Sequence, residues 1–263
     1  MRCVIAVPAR LESTRLPEKI RAKIGDKSMF QWVLEACARA NQPKGLALCT
    51  DSKELCEEAN ALGFNAIYTQ GEFESGTDRI ASVLDELISL GEGDLNSTAI
   101  INVQGDQPFI DPEIIDKICL RLGQGKESPD VVTPIYRLDQ AAIHNPDKVK
   151  VVISHRGDAI YFSRNAIPYV RDIQLDSWVQ HHEYWGHVGI YGYKATTLKT
   201  WPTLTCSTLE KAEKLEQLRL VQCGVRIGTV EVSGEPLSVD TLEDLEKARC
   251  LVRTNKEQHR LNQ

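Results

Sequence analysis

The sequence predicts an α/β fold with a Rossmann-like mixed, mostly parallel sheet covered by helices. Short apolar runs typical of strands alternate with segments of helical periodicity through the first half of the chain, and this alternation is typical of parallel strands joined by helices. The chain has 263 residues, of which 42% are hydrophobic and 26% are charged, as in globular proteins with a substantial core. We expect one domain over residues 1–253 and a polar tail over 254–263.

The first half of the chain supplies the alternating elements. Its strand-like runs lie at residues 4–8, 45–50, 66–69 and 98–103. A helical segment follows each of these runs. The first begins at Ser28, the second and third cover 52–62 and 77–90, and the fourth begins at Asp111. Ser28 and Asp111 are good helix caps, and Pro112 fits the first turn of the helix that Asp111 starts. These elements predict the parallel part of the sheet.

The pattern changes after about residue 130. Further strand-like runs lie at 131–136, 148–153, 159–162, 188–193 and 225–232. Residues 164–187 are rich in aromatic side chains and histidine without clear periodicity, and we expect them to leave the sheet as a dimerisation flap. Capping boxes that begin at Ser207 and Thr241 predict two helices, the first of which reaches Cys223.

Charge and composition exclude several classes of protein. The formal net charge is −6, and basic residues form only local clusters, which argues against general nucleic-acid binding. No apolar stretch reaches the roughly 20 residues of a membrane span, and Arg10 interrupts the apolar run that a secretory signal would need. The eight cysteines form no CxxC pair, so we expect mostly buried, reduced thiols in a cytoplasmic protein.

A basic loop follows the first predicted strand. Residues 1–27 carry seven basic and three acidic side chains, although the whole chain is acidic. Arg10, Arg15 and Lys19 lie where ligands of open α/β sheets bind, and arginine and lysine suit polyphosphate capture. The loop lacks the GxxxxGK[ST] pattern of a P-loop. The sequence favours a triphosphate site here, with a solvated basic loop as the alternative.

Two aspartates are candidate metal ligands. Asp106 follows the predicted strand 98–103, after Gly105, which permits a close approach to the backbone. Asp240 comes directly before the last predicted helix. Taken singly, the first is explained as a turn residue and the second as an ordinary helix start. If the two meet in space, they suit Mg²⁺, which often takes one or two carboxylates together with phosphate oxygens.

Residues 74–79 form a further candidate ligand contact. Ser75 and Gly76 precede a helix, where free backbone N–H groups can contact a polar or anionic ligand. Arg79 lies in the first turn, which is unfavourable with the helix dipole and therefore indicates an anionic partner. Later groups of polar residues amid apolar ones, such as the group that begins at His187, are weaker candidates for ligand contacts. The alternative explanation of His187 is a histidine that is hydrogen-bonded within a strand.

Seven motifs occur in one order along residues 1–252. They are PAR-x-x-STRLP-x-K, SGT-[DE]-R, NVQGD-x-P, YFSR-x-x-IP, H-[VLI]-GIYGY, LEQLR and VDT-x-EDL-E. Any one of them is weak, but the set in this order closely resembles the 3-deoxy-manno-octulosonate (Kdo) cytidylyltransferase family.

The resemblance implies an enzyme that transfers CMP from CTP to the anomeric C2 hydroxyl of Kdo, giving CMP-Kdo and pyrophosphate for lipopolysaccharide or related glycan synthesis. It implies the fold of nucleotide-diphospho-sugar transferases, Mg²⁺ as cofactor and a homodimer. The residues that it implies for CTP binding are Ala9, Arg10, Ser13, Arg15, Lys19, Ser75 and Gly76. Those that it implies for sugar binding are Gln104, Arg164, His187, Glu216 and Gln217. Catalytic roles are implied for Lys19, Arg79, Asp106 and Asp240, the last two as Mg²⁺ ligands.

Several positions depart from the usual family pattern, among them Ser28 and Leu242, which stand in place of prolines. Glu18 and Ile20 flank Lys19 in place of glycine and proline, and Gln107 replaces glutamate after Asp106. The lost charge at Gln107 leaves open a related substrate such as 8-amino-3,8-dideoxy-manno-octulosonate, or another 2-keto-3-deoxy sugar acid. An alternative of another class is a nucleotide- or sugar-binding paralogue without turnover.

Overall fold

The computed structural model describes residues 1–11 and 16–261. The strands are β1 (Arg2–Ala9), β2 (Lys23–Ile24), β3 (Lys27–Ser28), β4 (Gly45–Thr50), β5 (Asn65–Tyr68), β6 (Thr98–Asn102), β7 (Val131–Arg137), β8 (Lys150–Ile153), β9 (Ala159–Ser163), β10 (Trp185–His187), β11 (Tyr191–Lys194) and β12 (Ile227–Glu231). The helices are α1 (Met29–Cys37), α2 (Lys53–Ala61), α3 (Gly76–Ser82), α4 (Leu84–Leu90), α5 (Pro112–Leu122), α6 (Gln140–Ile143), α7 (Ala195–Thr200), α8 (Thr208–Glu213), α9 (Gln217–Gln222) and α10 (Leu242–Leu261). Short 3-10 turns occur at Lys19–Arg21, Gly125–Glu127, Leu175–Gln180 and Trp201–Thr203.

Ten of the described strands form one sheet. Their order is β5-β4-β1-β6-β11-β7-β10-β8-β9, and β12 pairs with β7. The first four are parallel neighbours, whereas β11, β10 and β9 run antiparallel to the strands beside them. Because β12 is parallel to β7, seven of these ten strands share one direction. The predicted mixed, mostly parallel sheet is confirmed.

The register of the parallel half places three strand ends together. Ala9 at the end of β1 pairs with Thr50 at the end of β4, and Ala6 pairs with Asn102 at the end of β6. The carboxyl ends of these strands therefore lie along one edge of the sheet, where ligands of open α/β sheets bind.

Apolar side chains on both faces of the sheet form the core. Successive β1 residues point to opposite faces, so that Ile5 and Val7 belong to one buried cluster and Val4 and Ala6 to another. A third buried cluster joins α10 to the β2–β3 hairpin and to the segment before α10, through Ile24, Met29, Val239, Leu245, Ala248 and Val252. This third cluster positions the chain around Asp240 against the body of the protein.

Two helices that the sequence predicts as continuous are broken. The predicted helix 77–90 is divided into α3 and α4 at Val83, where φ is −120° and ψ is 29°. The predicted helix 207–223 is divided into α8 and α9. The first of these ends at the cap residue Lys214, whose φ of 55° is left-handed. Apolar periodicity continues across both breaks, so the sequence pattern does not reveal them.

The predicted strand 188–193 is also wrong in its extent. Of its residues only 191–193 are in a strand, β11, whereas Val188 and Ile190 present their carbonyl oxygens to Thr133 Oγ1 at 3.0 and 2.8 Å. A separate strand, β10, covers Trp185–His187 and belongs to the sheet, although the sequence assigns 164–187 entirely to a flap. Within that segment Trp178 and Tyr184 are buried, whereas Tyr169 and Leu175 are exposed.

The thiols are less buried than predicted. All eight cysteines are free, but Cys206, Cys223 and Cys250 are exposed, because Cys206 lies in a loop, Cys223 ends α9 and Cys250 faces solvent on α10. Among the described residues, no helix has both the length and the apolar character required to cross a membrane. The division into a domain over 1–253 and a tail stays a prediction, and α10 continues to Leu261.

Candidate active site

A cavity of about 220 Å³ lies at the carboxyl ends of β1 and β6. It is lined by Pro8, Ala9, Arg10, Lys19, Ile20, Phe73, Glu74, Ser75, Gly76, Arg79, Gln104, Gly105, Asp106 and Asp240. The structure thus brings together the basic loop, the Ser75–Gly76 segment and both candidate metal ligands. Gly105 is needed for packing among protein atoms, because a Cβ there would lie 2.7 Å from Ile20 Cδ1 and 3.0 Å from the Pro8 carbonyl oxygen.

Asp106 and Asp240 converge on one ammonium group. Lys19 Nζ donates to Asp106 Oδ2 at 2.7 Å and to Asp240 Oδ1 at 3.0 Å. The main chain joins the same segments, since Val239 N donates to the Asp106 carbonyl oxygen at 2.9 Å. Burial opposes the charge of Lys19, but the two carboxylates outweigh it and raise the pKa of Lys19 above its ordinary value.

The carboxylate pair fits a divalent cation. Both ligands are hard oxygen donors, and the Lys19 ammonium already occupies the position between them as a positive charge. The described residues contain no cluster of three or more His, Cys, Asp or Glu side chains that could hold a metal. Mg²⁺ does not need one, because it commonly takes one or two carboxylates and completes its shell with phosphate oxygens and water.

A second cavity, of about 340 Å³, adjoins the first. Its lining residues are Gln104, Asp147, Val149, His187, Gly189, Tyr191, Lys214, Leu215, Glu216, Gln217 and Glu235. Gln104 lines both cavities, so a ligand in one cavity lies next to a ligand in the other. Four of the five sugar-binding candidates from the sequence meet here.

The position of Arg79 in the first turn of α3 indicates an anionic partner, and the protein itself supplies one. Arg79 is buried, and its guanidinium donates to Asp51 Oδ2 at 2.7 Å and to Thr69 Oγ1 at 2.5 Å. Phe73 packs on the guanidinium with its ring centroid 5.0 Å from Cζ. Asp51 is not among the site residues predicted from the sequence, although a carboxylate directly after strand 45–50 is a signal for it. A catalytic role for Arg79 stays a prediction.

Comparisons with known proteins identify the family. A family model described as Cytidylyltransferase matches residues 4–227. A 3-deoxy-manno-octulosonate cytidylyltransferase of Francisella philomiragia is 41% identical, over 94% of this chain and 97% of the relative. The chain belongs to the Kdo cytidylyltransferase family. The corresponding protein of Solibacter usitatus is 39% identical, over 95% of this chain and 94% of the relative.

A solved structure agrees with this membership. The CMP:2-keto-3-deoxy-manno-octonic acid synthetase complexed with CTP superimposes with a TM-score of 0.88 at 36% identity, covering 97% of this chain and 100% of that chain. The prediction of a cytidylyltransferase fold and family is confirmed.

Arg164 is the sugar-binding candidate of this cytidylyltransferase that does not line either cavity. Its Nε donates to the Glu213 carbonyl oxygen at 2.8 Å, Nη1 to that of Pro146 at 3.1 Å and Nη2 to that of Lys214 at 3.4 Å. Its guanidinium therefore holds main chain at the border of the second cavity. Direct contact of Arg164 with the sugar carboxylate stays a prediction.

Gln217 offers a donor inside the second cavity. The residue is 3% exposed, and its Nε2 lacks a hydrogen-bond partner among the described residues. Buried donors are nearly always paired, so this amide indicates a polar ligand.

His187 is neutral in the cytidylyltransferase fold. Its ring lies between Phe162 and Tyr191, with Nε2 3.0 Å from Thr133 Oγ1. Desolvation lowers the pKa of His187 to about 3, although one side of the residue borders the second cavity. The ring therefore serves as a neutral hydrogen-bonding group.

The neutral state of His187 predicts a pH dependence of stability. Between about pH 3 and the ordinary histidine pKa of about 6.5, the unfolded chain binds a proton that the folded chain does not. The free energy of unfolding therefore rises with pH through this window and loses that contribution as the pH falls below about 6.5. We expect the fall in melting temperature from pH 7.5 to pH 5 to be smaller in His187→Gln than in the unsubstituted protein. An identical fall in both proteins would remove this assignment.

A chain of three hydrogen bonds runs from Gln104, which lines both cavities, to Glu216 in the second. Gln104 Nε2 donates to Asn102 Oδ1 at 3.3 Å, and Asn102 Nδ2 donates to Thr77 Oγ1 at 3.3 Å. Thr77 Oγ1 in turn donates to Glu216 Oε1 at 2.8 Å. Burial raises the pKa of Glu216, and its hydrogen bonds with Thr77 and Ser75 partly offset that effect.

Thr77→Val tests this connection. Valine keeps the shape but removes the hydroxyl that pairs with the buried Glu216 carboxylate. Loss of a hydrogen bond to a charged group predicts a roughly tenfold higher KM for the sugar, whereas Thr77→Ser is expected to stay near the unsubstituted value. Steady-state kinetics at saturating CTP measures both. Equal KM values for the valine and serine variants would contradict the role of the hydroxyl.

The remaining candidate and departing positions lie in the segment after β1 and directly after Asp106. Ser13 and Arg15 lie outside the described residues. Glu18 is exposed and has a left-handed φ of 50°, and Ile20 is buried beside Gly105. Gln107 is buried, and its Oε1 lacks a hydrogen-bond partner within the described ranges.

Proposed function

We propose that this chain transfers the cytidylyl group of CTP to the C2 hydroxyl of Kdo, with release of pyrophosphate. The observation that carries the proposal is the convergence of Asp106 and Asp240 on Lys19 Nζ, at 2.7 and 3.0 Å, inside a cavity that adjoins a second polar cavity. The resemblance in sequence to Kdo cytidylyltransferases and the related CTP complex support these substrates.

In this proposal the first cavity binds CTP. Arg10 and Lys19 supply positive charge to the triphosphate, and the family resemblance adds Ser13 and Arg15, which lie between them in the sequence. Ala9, Ser75 and Gly76 contact the nucleotide from the facing wall. Gly76 is required there, because a Cβ would lie 2.9 Å from Pro8 Cγ. The Ser75 hydroxyl also donates to Asp78 Oδ2 at 2.8 Å, which fixes the start of α3.

Asp106 and Asp240 are proposed as the ligands of Mg²⁺. A magnesium ion there would neutralise phosphate charge and acidify the sugar hydroxyl. Lys19 would exchange its contacts with the two carboxylates for contacts with phosphate oxygens, which keeps its charge at the site. Transfer then depends on alignment and charge neutralisation, without a covalent catalyst.

The second cavity is proposed to hold the sugar acid. Gln217 Nε2 donates to it, neutral His187 and Glu216 contact its hydroxyl groups, and Gln104 lies between the two substrates. The adjacent positions of the cavities bring the C2 hydroxyl to the α-phosphorus of CTP.

Pyrophosphate release from CTP with Mg²⁺ over a panel of sugar acids tests the proposal. We expect release with Kdo and its loss when the metal is chelated. CTP binding without release for any sugar acid would contradict the proposal and favour a non-catalytic binding protein.

A cationic sugar is the second candidate substrate. The second cavity is lined by the carboxylates of Asp147, Glu216 and Glu235, the last of which forms an ion pair with Lys148, and by one ammonium, from Lys214. This balance favours a sugar acid that carries an ammonium group, such as 8-amino-3,8-dideoxy-manno-octulosonate. Release with the amino sugar and not with Kdo would select it.

A cytoplasmic homodimer is also proposed, from the family resemblance. Light scattering on the purified protein tests the dimer, for which we expect twice the 29.4 kDa mass of one chain. A mass equal to one chain would contradict it.

A further inference from the structure

Lys150 is a buried lysine for which the proposed reaction has no use. It is fully buried at the start of β8. Its Nζ donates to the carbonyl oxygens of Asn145 at 2.8 Å and Lys148 at 2.6 Å, and to that of Arg164. A buried ammonium is costly unless its three donors are satisfied, and here three carbonyl oxygens satisfy them. Burial and the nearby Arg164 lower the pKa of Lys150.

The carbonyl oxygens that Lys150 holds belong to the wall of the second cavity. Two of them lie in the loop of residues 145–149, and this loop contributes Asp147 and Val149 to the lining. The third belongs to Arg164, directly after β9. Lys150 therefore fixes the position of this loop relative to β8 and β9.

Arg164 extends the same arrangement to the opposite wall. Its guanidinium joins the carbonyl oxygen of Pro146 to those of Glu213 and Lys214, and Lys214 lines the second cavity. The Glu213 carboxylate accepts a hydrogen bond from Arg164 N at 2.9 Å. We call Lys150 and Arg164, with the six carbonyl oxygens that they hold, the carbonyl clamp.

We propose that Lys150 is a positioning residue for the sugar acid: through the carbonyl clamp it sets the separation of the two walls of the second cavity. The inference rests on the proposed function, because the second cavity is there assigned to the sugar. None of the residues in the clamp lines the first cavity, so the effect of Lys150 falls on the sugar and spares CTP.

Lys150→Met and Lys150→Gln test the inference. Methionine keeps the length and removes all donors, whereas glutamine retains an N–H₂ group. We expect the KM for Kdo to rise by roughly tenfold or more in the methionine variant and by less in the glutamine variant, because loss of the clamp misplaces binding groups. The Kd for CTP, from titration calorimetry, is expected to stay within about twofold.

Lys194→Met is the matched control. Lys194 Nζ also donates to a carbonyl oxygen, that of Ser128 at 3.1 Å, but lies at the opposite end of the sheet, where Lys194 pairs with Ala99 on β6. We expect it to lower the melting temperature without changing the KM for Kdo.

The outcomes separate the two proposals. Release of pyrophosphate by the unsubstituted protein, together with an unchanged KM for Kdo in both Lys150 variants, would overturn the inference alone. Parallel rises in the KM for Kdo and the Kd for CTP would also overturn it, since they indicate a general structural role. If the methionine variant fails to fold, the glutamine variant decides. Absence of release by the unsubstituted protein with any sugar acid overturns the proposed function and this inference with it.

Discussion

Asp106→Asn and Asp240→Asn are each expected to lower kcat by about 10²- to 10³-fold, because loss of a metal-assisted charge stabilisation of several kcal/mol has that effect. Each substitution removes one negative charge from the pair that faces Lys19 Nζ and leaves the other. Steady-state pyrophosphate release at saturating CTP and Kdo measures the loss.

The fold is expected to survive both substitutions. Asparagine keeps the size of aspartate, and in each variant Lys19 retains one carboxylate partner. Circular dichroism and the melting temperature check this point. Asp85→Asn, at an exposed position on α4, is the matched control and is expected to keep full activity. Unsubstituted rates in either active-site variant would remove the metal assignment.

Lys19→Met is expected to raise the KM for CTP by about 10- to 100-fold, because an ammonium that contacts phosphate contributes hydrogen bonds to a charged group as well as charge. It also leaves the Asp106 and Asp240 carboxylates facing each other without Lys19, so we expect a lower melting temperature. Lys19→Arg retains the charge and is expected to recover part of the affinity.

The exposed neighbour Lys23 supplies the control for this prediction. Lys23→Met removes a positive charge on β2, and we expect the KM for CTP to change by no more than about twofold. If Lys23→Met and Lys19→Met raise the KM equally, the effect is one of net charge and not of the contacts that Lys19 makes.

Elements with strong local signals could be predicted from the sequence. The strand 45–50 is found within the same bounds as β4. Asp111, Ser207 and Thr241 accept the predicted capping hydrogen bonds at the starts of α5, α8 and α10. The predicted cap Ser28 is wrong in this respect, because its side chain makes no capping hydrogen bond at the start of α1. These signals are local, since each depends on residues within one helical turn.

Breaks that depend on tertiary contacts could not be predicted. The interruption between β10 and β11 follows from Thr133, which is more than fifty residues away in the chain and holds the carbonyl oxygens of Val188 and Ile190. The left-handed Lys214 presents its carbonyl oxygen to Arg164. Neither partner is visible in the local pattern.

In the candidate site, too, a local signal could be predicted from the sequence and a tertiary contact could not. Asp106 could be placed at the carboxyl edge of the sheet, because it follows a strand of clear apolar character. Its meeting with Asp240 depends on the packing of α10 and on the hydrogen bond from Val239 N to the Asp106 carbonyl oxygen, which no spacing in the sequence indicates. The motif resemblance implied that meeting, and the physical pattern of the residues did not.

Binding of Mn²⁺ in the presence of CTP, followed by electron paramagnetic resonance, shows whether Asp106 and Asp240 hold one cation. We expect the unsubstituted protein with CTP to immobilise one class of Mn²⁺, and Asp106→Asn and Asp240→Asn each to lose it while remaining folded. Equal Mn²⁺ affinity in all three proteins would contradict the claim that these two carboxylates share one cation.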